Sequence, residues 1–514
     1  MVRLKRMFHS RWFFMILFSS AYPVITFINV NKTQLLATQW SRLILYFIVI
    51  LFGSLLITKV IKRFFLRSSG INRIAFAVSI ATVFFFFANE DLYNLKLYLL
   101  GFLTLPVLGY WLSKFKGLLN WFFIVIIMAV LFPAIQLTTY GIQLIFSSNK
   151  GVKEQAFDQN LENAFTKTKN PLNVYYFVPD TYPRSDRVKK TLGFDNKPFV
   201  KKLSSLGFYI AENSYSNYPT TFLSLSSLLE MDYLATENMK PFLNKKRFFE
   251  VLEGNNAVVR RFRKHGYLFA RSGPQRWDPT SCNGKEDICL NEKEAFSEFD
   301  YQFWGRTGFL RLFKKLDLIT EYPKTTFQDI KQSLRNYEID NPLFVFGHVL
   351  MPHPPYVFGS DCEPIDLLKE YSSLGEPGWW SDKSKTLYLG ELKCVNKQLA
   401  ELVEFIIDND PNSIIIIQAD TGTHFGYNNK RFIDDIPLSE WSEEDLENNF
   451  ANLTAIRIPQ RFHKWLYPSI SQVNIFRLIF AVIENKQPSF IADYSYSTHY
   501  DGGSGFGKVH KYER

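Results

Sequence analysis

The chain has 514 residues, room for two or three domains, and combines 17% aromatic residues, 50 Phe among them, with 21% charged residues. That mixture points to an apolar membrane part joined to a polar soluble part. The formal net charge is +10, but no basic stripe or nucleic-acid motif goes with it, which excludes nucleic acid as a partner.

Five apolar spans fill the first 150 residues: Trp12–Ile28, Leu43–Ile57, Ile74–Ala88, Leu97–Leu112 and Leu118–Phe146. A bilayer core takes about 20 apolar residues per helix, so the middle three are short and the fifth can extend past the membrane. The first is not a cleaved signal peptide, because further spans follow closely. Arg3, Lys5, Arg6 and Arg11 precede span one, Lys62, Arg63, Arg67 and Arg73 lie between spans two and three, and Lys114 and Lys116 lie between four and five. The other two loops are poorer in positive charge. The positive-inside rule then makes the N-terminus cytoplasmic, and an odd number of spans puts everything after Phe146 outside. The polar stretch Ser147–Asn170 reads as a linker, with a candidate interfacial helix at AFDQNLENAF.

From Pro171 onward, LNVYYFVPD, GFYIAE, GYLFAR, PLFVFGHVL, SIIIIQAD and LTAIRIP are strand candidates separated by helical stretches. This alternation predicts an α/β sheet. Ile414 to Ile417 form a run suited to a strand buried on both faces, and the run stops at Asp420-Thr421-Gly422. A carboxylate at the C-terminal end of a central strand is where open α/β sheets place ligands and metals. Asp180, at the end of the first strand, repeats that geometry, and two such acids on neighbouring strands can share a cation. Each acid alone is equally a turn cap. Thr220 and Thr221 precede a helical pattern of Phe222, Leu225, Leu228 and Leu229. A Thr there serves either as an N-cap or as a hydroxyl nucleophile favoured by the helix dipole. His348 and His353 lie at a strand end and on the proline-rich loop after it, where they suit substrate or metal contact. The four cysteines, Cys282, Cys289, Cys362 and Cys394, all fall in the outer part. An oxidising compartment suggests disulfides, with Cys282–Cys289 closing a small loop and Cys362–Cys394 the remaining pair.

The order and spacing of acid, Thr-x-x-Ser and strand-Asp-x-Gly resemble the sulfatase-like branch of the alkaline phosphatase superfamily. More closely, the layout resembles the membrane-bound phosphoethanolamine transferases and lipoteichoic acid synthases, which also join five spans to an extracytoplasmic α/β domain. The resemblance implies a transmembrane domain over 1–146, a linker or interfacial helix over 147–170 and a sulfatase-like domain over 171–514. It places the first metal-binding acid on Asp180 and the nucleophile on Thr221, followed by Ser224, with Thr221 also touching the metal. Pro352-His353-Pro354-Pro355 resembles a phosphate-contacting loop. Asp420-Thr421-Gly422 takes the place of the Asp-His-Gly metal motif.

Thr421 therefore stands where the family has a metal-binding His. A hydroxyl is a poorer zinc ligand than imidazole. Three alternatives follow: His424 or His499 supplies the missing ligand; a harder divalent cation, magnesium, manganese or calcium, is held through Asp180, Asp420 and the Thr oxygen; or the metal site is lost. His353, His348 and His499 are the candidate substrate contacts. The resemblance implies an enzyme of a bacterial cytoplasmic (inner) membrane, with its C-terminal domain periplasmic or otherwise extracytoplasmic. It would move a phosphoethanolamine- or phosphoglycerol-type group from a membrane lipid to an envelope glycan or lipid. The nucleophile position, Thr221, is not the Cys or Ser of a Cys/Ser-x-Pro-x-Arg setting, which argues against a formylglycine sulfatase. The other reading is a catalytically impaired relative that binds an envelope glycan or lipid or scaffolds an assembly.

Overall fold

Uniformly apolar stretches with no strand-like alternation satisfy their backbone internally only as helices. In a computed structural model, which describes residues 10–32, 35, 39–65, 70–87, 95–148, 171–237, 246–274, 277–291, 298–304, 307, 325–336, 341–365, 380–425, 440–501 and 505–512, the described residues of each apolar span fall in a helix. These helices are Arg11–Asn31, Trp40–Val60, Ile71–Phe87, Leu95–Leu112 and Lys116–Ser148. Three of them are long and apolar enough to cross a membrane, and the stretches Ile71–Phe86 and Tyr98–Leu112 are shorter apolar helices. Large apolar side chains such as Phe52, Leu56, Leu103, Trp121 and Phe132 point outward, as expected of helices solvated by lipid rather than water. At one end of the helices Arg11 donates to Asn120 at 2.7 Å, and Arg73 donates to Ser113 at 3.2 Å and lies over the Tyr110 ring. Most of the expected linker, residues 149–170, lies outside the described residues.

The chain divides into two compact units, Met1–Phe157 with Phe296–Glu321, and Asp158–Ala295 with Tyr322–Arg514. The first unit thus takes a segment from far along the chain, which the sequence reading did not anticipate. Its helix Glu298–Trp304 sets Phe299 and Phe303 against Phe27 and Tyr46, while Phe86 packs against Phe303 and Trp304. Asp300 is buried there; Arg42 bonds it at 3.2 Å and the Tyr46 hydroxyl donates to it.

The second unit is built on a seven-stranded sheet. In chain order its strands are β1 (Val174–Pro179), β2 (Tyr209–Ile210), β3 (Leu268–Ser272), β4 (Ile288–Cys289), β5 (Leu343–Val349), β6 (Ile414–Gln418) and β7 (Thr454–Arg457). All six strand candidates are strands. The spatial order is β2-β7-β6-β1-β5-β3-β4, with β6, β1, β5, β3 and β4 parallel, β7 antiparallel to β6, and β2 antiparallel to β7 at one edge. Strands β1 and β6 are buried along their whole length, as parallel strands covered on both faces must be. Helix Lys385–Asn409 covers one face, where Leu392, Val395, Leu399 and Leu402 join Tyr175, Phe177, Ile415 and Ile417 in one core. Helix Gln472–Glu484 covers the other, stacking Phe476 on Tyr176 at 5.1 Å. A two-stranded hairpin, β8 (Ser495–Asp501) and β9 (Gly505–Tyr512), follows. Both expected disulfides are formed, Cys282–Cys289 and Cys362–Cys394.

The Asp300 carboxylate is the shared acceptor of the helix docked in the first unit. We expect Asp300→Ala to lower the stability of the detergent-solubilised chain by about 1–3 kcal/mol, and Asp300→Asn, which keeps an acceptor, to lose less. Thermal melts of the two variants give the order; no loss in either would mean that ring packing alone holds the helix.

Candidate functional site

The register of three neighbouring strands assembles the site. Phe177 of β1 pairs with Ile417 of β6, and three residues past each lies an acid, Asp180 and Asp420, so the two arrive level at the carboxyl end of the sheet. On the other side of β1, His348 pairs with Val178 from β5. The two acids are joined through the backbone, since Thr181 N–H donates to Asp420 Oδ1 at 2.8 Å. Thr181 makes that contact from the left-handed region, with φ of 56°, a costly conformation for a β-branched residue and of the kind that clusters at functional sites.

Thr221 is the first residue of helix Thr221–Glu230, with Thr220 at the N-cap making no side-chain cap bond. The capping alternative is therefore not what these hydroxyls do. The Thr221 side chain acts on the Asp420 carboxyl, tending to lower its pKa, and Thr220 Oγ1 is buried with no hydrogen-bond partner. Ser224 lies one turn on, its hydroxyl 2.6 Å from the Asp420 carbonyl.

Both acids are almost fully buried. Asp420 is pushed up to about 8, first by burial and then by the charge of Asp180. Burial also disfavours the charge on Asp180, but His353, His348 and His424 outweigh it and hold that carboxyl below its ordinary range. Two carboxyls buried side by side thus disfavour a second negative charge on the pair. Asp180 Oδ1 and Asp420 Oδ2 are buried and have no hydrogen-bond partner. Two bare carboxylate oxygens at one strand-end level, beside a threonine hydroxyl, form a donor set that fits a divalent cation.

The other predicted residues distribute unevenly. His424, partly buried, places Nδ1 3.0 Å from Asn449 Oδ1 and is pushed down to about 4, chiefly by burial, so its ring is neutral at neutral pH. It and His353 act electrostatically on Asp180, and Trp380 stands edge-on to both rings at 5.1 and 5.7 Å. His348 is fully buried behind Asp180, not on an open substrate face. The Thr421 hydroxyl donates to the Gly422 carbonyl at 3.1 Å. Gly422 is required there, because a Cβ would lie 2.2 Å from the Asn448 carbonyl oxygen. The His499 side chain lies outside the described residues. The Cys282–Glu286–Cys289 cluster has metal-like proximity, but its sulfurs are bonded to each other.

Sequence reasoning missed Gln472, which is fully buried and ties the strand end in place. Its amide donates to the carbonyls of Ala419 at 2.9 Å and Asp420 at 2.7 Å, while its oxygen accepts from Asn217 N–H. It lies in LYPSISQVNIFRLIF, the stretch to which the resemblance lent only a structural role. A separate cavity of about 430 Å³ opens at the amino end of the sheet beside Asn173, Tyr175, Arg335 and Asp410, away from the acid pair.

No protein-family model matches the chain, and no curated protein matches it. Its structure is similar to several solved ones. One is the C-terminal periplasmic domain of EcEptC from Escherichia coli in complex with zinc: 11% identity, 67% of this chain and 94% of that chain covered, TM-score 0.43. Another is the integral membrane protein lipooligosaccharide phosphoethanolamine transferase A (EptA) from Neisseria meningitidis: 14% identity, 93% and 96% covered, TM-score 0.36. A third is the phosphonate monoester hydrolase of Agrobacterium radiobacter: 14% identity, 64% and 80% covered, TM-score 0.38.

The raised Asp420 carboxyl gives the metal-free protein a pH signature. A carboxyl held at about 8 when folded and 3.8 ordinarily contributes stability that is complete below 3.8 and lost as pH rises through about 8. Asp180, held below its ordinary value, acts only at more acidic pH. With chelator present, we expect stability to fall between pH 5 and 8, and Asp420→Asn to flatten the fall and raise stability at pH 8. A divalent cation at a hundred times its Kd should add about 2.7 kcal/mol to wild type and nothing to the variant. Denaturation at stepped pH with and without cation reads all three.

Proposed function

We propose that this chain is a membrane-anchored phosphotransferase or phosphohydrolase of the sulfatase-like kind, with its 171–514 domain on the outer side of a bacterial cytoplasmic membrane. It takes a phosphoethanolamine- or phosphoglycerol-type group from a lipid donor and passes it to an envelope glycan, a lipid or water. The observation that carries this reading is the level acid pair with one bare buried oxygen on each acid, beside a threonine hydroxyl at a helix N-terminus.

Asp180 and Asp420 would hold a divalent cation, with Thr221 beside it. That cation would lower the pKa of the hydroxyl and offset charge on the phosphoryl oxygens. The chain's own residues do the rest. Thr221 Oγ1 attacks phosphorus, the bond from phosphorus to the donor's alcohol oxygen breaks, and the alcohol leaves with a proton. The acceptor hydroxyl then attacks the phosphothreonine, the bond to Oγ1 breaks, and Thr221 regains its proton. The first-turn N–H groups of helix Thr221–Glu230 favour the charge that develops on the phosphoryl oxygens. His353, which acts electrostatically on Asp180, would stabilise charge on the phosphoryl oxygens.

A five-span, outward-facing topology is supported by the basic end of the helical unit and by helix Glu298–Trp304. That helix follows span five, so it shares the side of the soluble half. It packs on Phe27, Tyr46 and Phe86, which lie at the ends of spans one, two and three that the positive-inside rule puts outside.

A second reading, a catalytically impaired relative that binds a glycan or lipid, is favoured by Thr421, whose hydroxyl is turned to the Gly422 carbonyl. Metal analysis of the purified chain separates the two, since the impaired form would carry no near-stoichiometric cation. For the enzyme, we expect Thr221→Ala to lower turnover at least about a thousandfold while the protein stays folded. Release of diacylglycerol from phosphatidylethanolamine or phosphatidylglycerol in proteoliposomes is the assay. Phosphate on Thr221, found by mass spectrometry of the quenched wild type, is the companion observation. Retained turnover in Thr221→Ala would sink the mechanism.

A further inference from the structure

Behind Asp180 runs a series of contacts that the proposed reaction does not use. Asp180 Oδ2 lies 3.3 Å from His348 Nε2, and His348 Nδ1 lies 2.8 Å from Thr280 Oγ1. All three side chains are buried, at 2%, 0% and 0% exposure in that order. Thr280 closes the short turn Asp278–Thr280 that follows β3. The turn is held from several sides. Its Thr280 carbonyl lies so close to Gly273 that a Cβ there would sit 2.0 Å away. Trp277 stands edge-on to the His348 ring at 5.3 Å. The Ser281 hydroxyl donates back to the Pro274 carbonyl, and the Cys282–Cys289 bridge fixes the chain just after.

The direction of the hydrogen bonds follows from the partners. Among the described residues the Thr280 hydroxyl has no contact other than His348, so its hydrogen goes to Nδ1. With Nδ1 accepting, the ring hydrogen sits on Nε2, where it donates to the Asp180 carboxylate. The opposite tautomer would set a ring lone pair against a carboxylate oxygen.

We infer that Thr280 is a positioning residue: through His348 it ties down Asp180 Oδ2 and leaves Oδ1 as the oxygen presented to the cation. This rests on the function proposed above. Groups that orient a metal ligand from behind are worth about 10–100-fold in affinity. Thr280→Val keeps the shape of the side chain and removes the hydroxyl; Thr280→Ser keeps the hydroxyl.

The test uses the full chain in detergent and titrates zinc and manganese in competition with a chromogenic chelator. Thr280→Val should bind about 10–100-fold more weakly than wild type, and Thr280→Ser within a few-fold. Nitrogen-15 spectra of histidine-labelled protein, with His348 assigned by its loss in His348→Gln, should give the Nε2–H tautomer in wild type and Thr280→Ser only. Wild-type affinity in a folded Thr280→Val protein overturns the inference. So does an Nδ1–H tautomer in the wild type, a result that stands even where the Val variant does not fold. A wild type that binds neither cation counts against the proposed function instead, and the tautomer then still decides the role of Thr280.

Discussion

Two carboxylates buried side by side cannot both keep their charge without a counter-charge, and the carboxyl end of this sheet is organised around that constraint. The backbone near the acids is well supplied. Gln472 and Asn452 satisfy the carbonyl of Ala419, and Gln472 and Ser224 approach that of Asp420. Thr181 spends an unfavourable backbone conformation to give Asp420 one N–H. What remains unsatisfied is one oxygen on each acid. A strand end whose main chain is saturated while its carboxylates are half-served concentrates the demand for positive charge at one point.

Much of this frame was legible in the sequence. Strands buried on both faces need continuous apolar runs, so Ile414 to Ile417 and Val174 to Val178 announced themselves, and acids ending such runs stand out by position. Thr221 was legible because the helical pattern after it marked an N-terminus. The disulfide pairing was readable because few cysteines leave few pairings. What stayed hidden were partners chosen by tertiary contact. Gln472 and Thr280 make bonds 52 and 68 residues away, and nothing local distinguishes them from any buried polar residue. His348 was readable as a neighbour of the site but not as a residue behind Asp180, because the direction of a strand side chain depends on its register with the neighbouring strands.

The helical unit shows the same division between pattern and contact. Its helices follow from composition, and the basic residues at one end follow from charge. Helix Glu298–Trp304 does not, since its seven residues carry too short a pattern to signal a docking face. Its Phe299 and Phe303 are one helical turn apart and meet rings from three different apolar helices. The buried Asp300 is tolerated because Arg42 and Tyr46 reach it.

The threonine at position 421 decides what kind of cation the acid pair could hold. With the Thr421 hydroxyl turned to the Gly422 carbonyl, the donors that remain are two carboxylate oxygens and the Thr221 hydroxyl, an all-oxygen set that suits magnesium, manganese or calcium. A zinc site would need an imidazole. His424 is the candidate whose electronic state suits that task, because burial keeps its ring neutral near pH 7 and a ligating histidine must be neutral. Asn449 Oδ1 accepts from its Nδ1, which resembles the way outer partners orient histidines in metal centres. On the proposed reading, threonine at 421 would leave an imidazole contribution to His424, three positions later, whose ring is held by the Asn449 side chain rather than by the sheet.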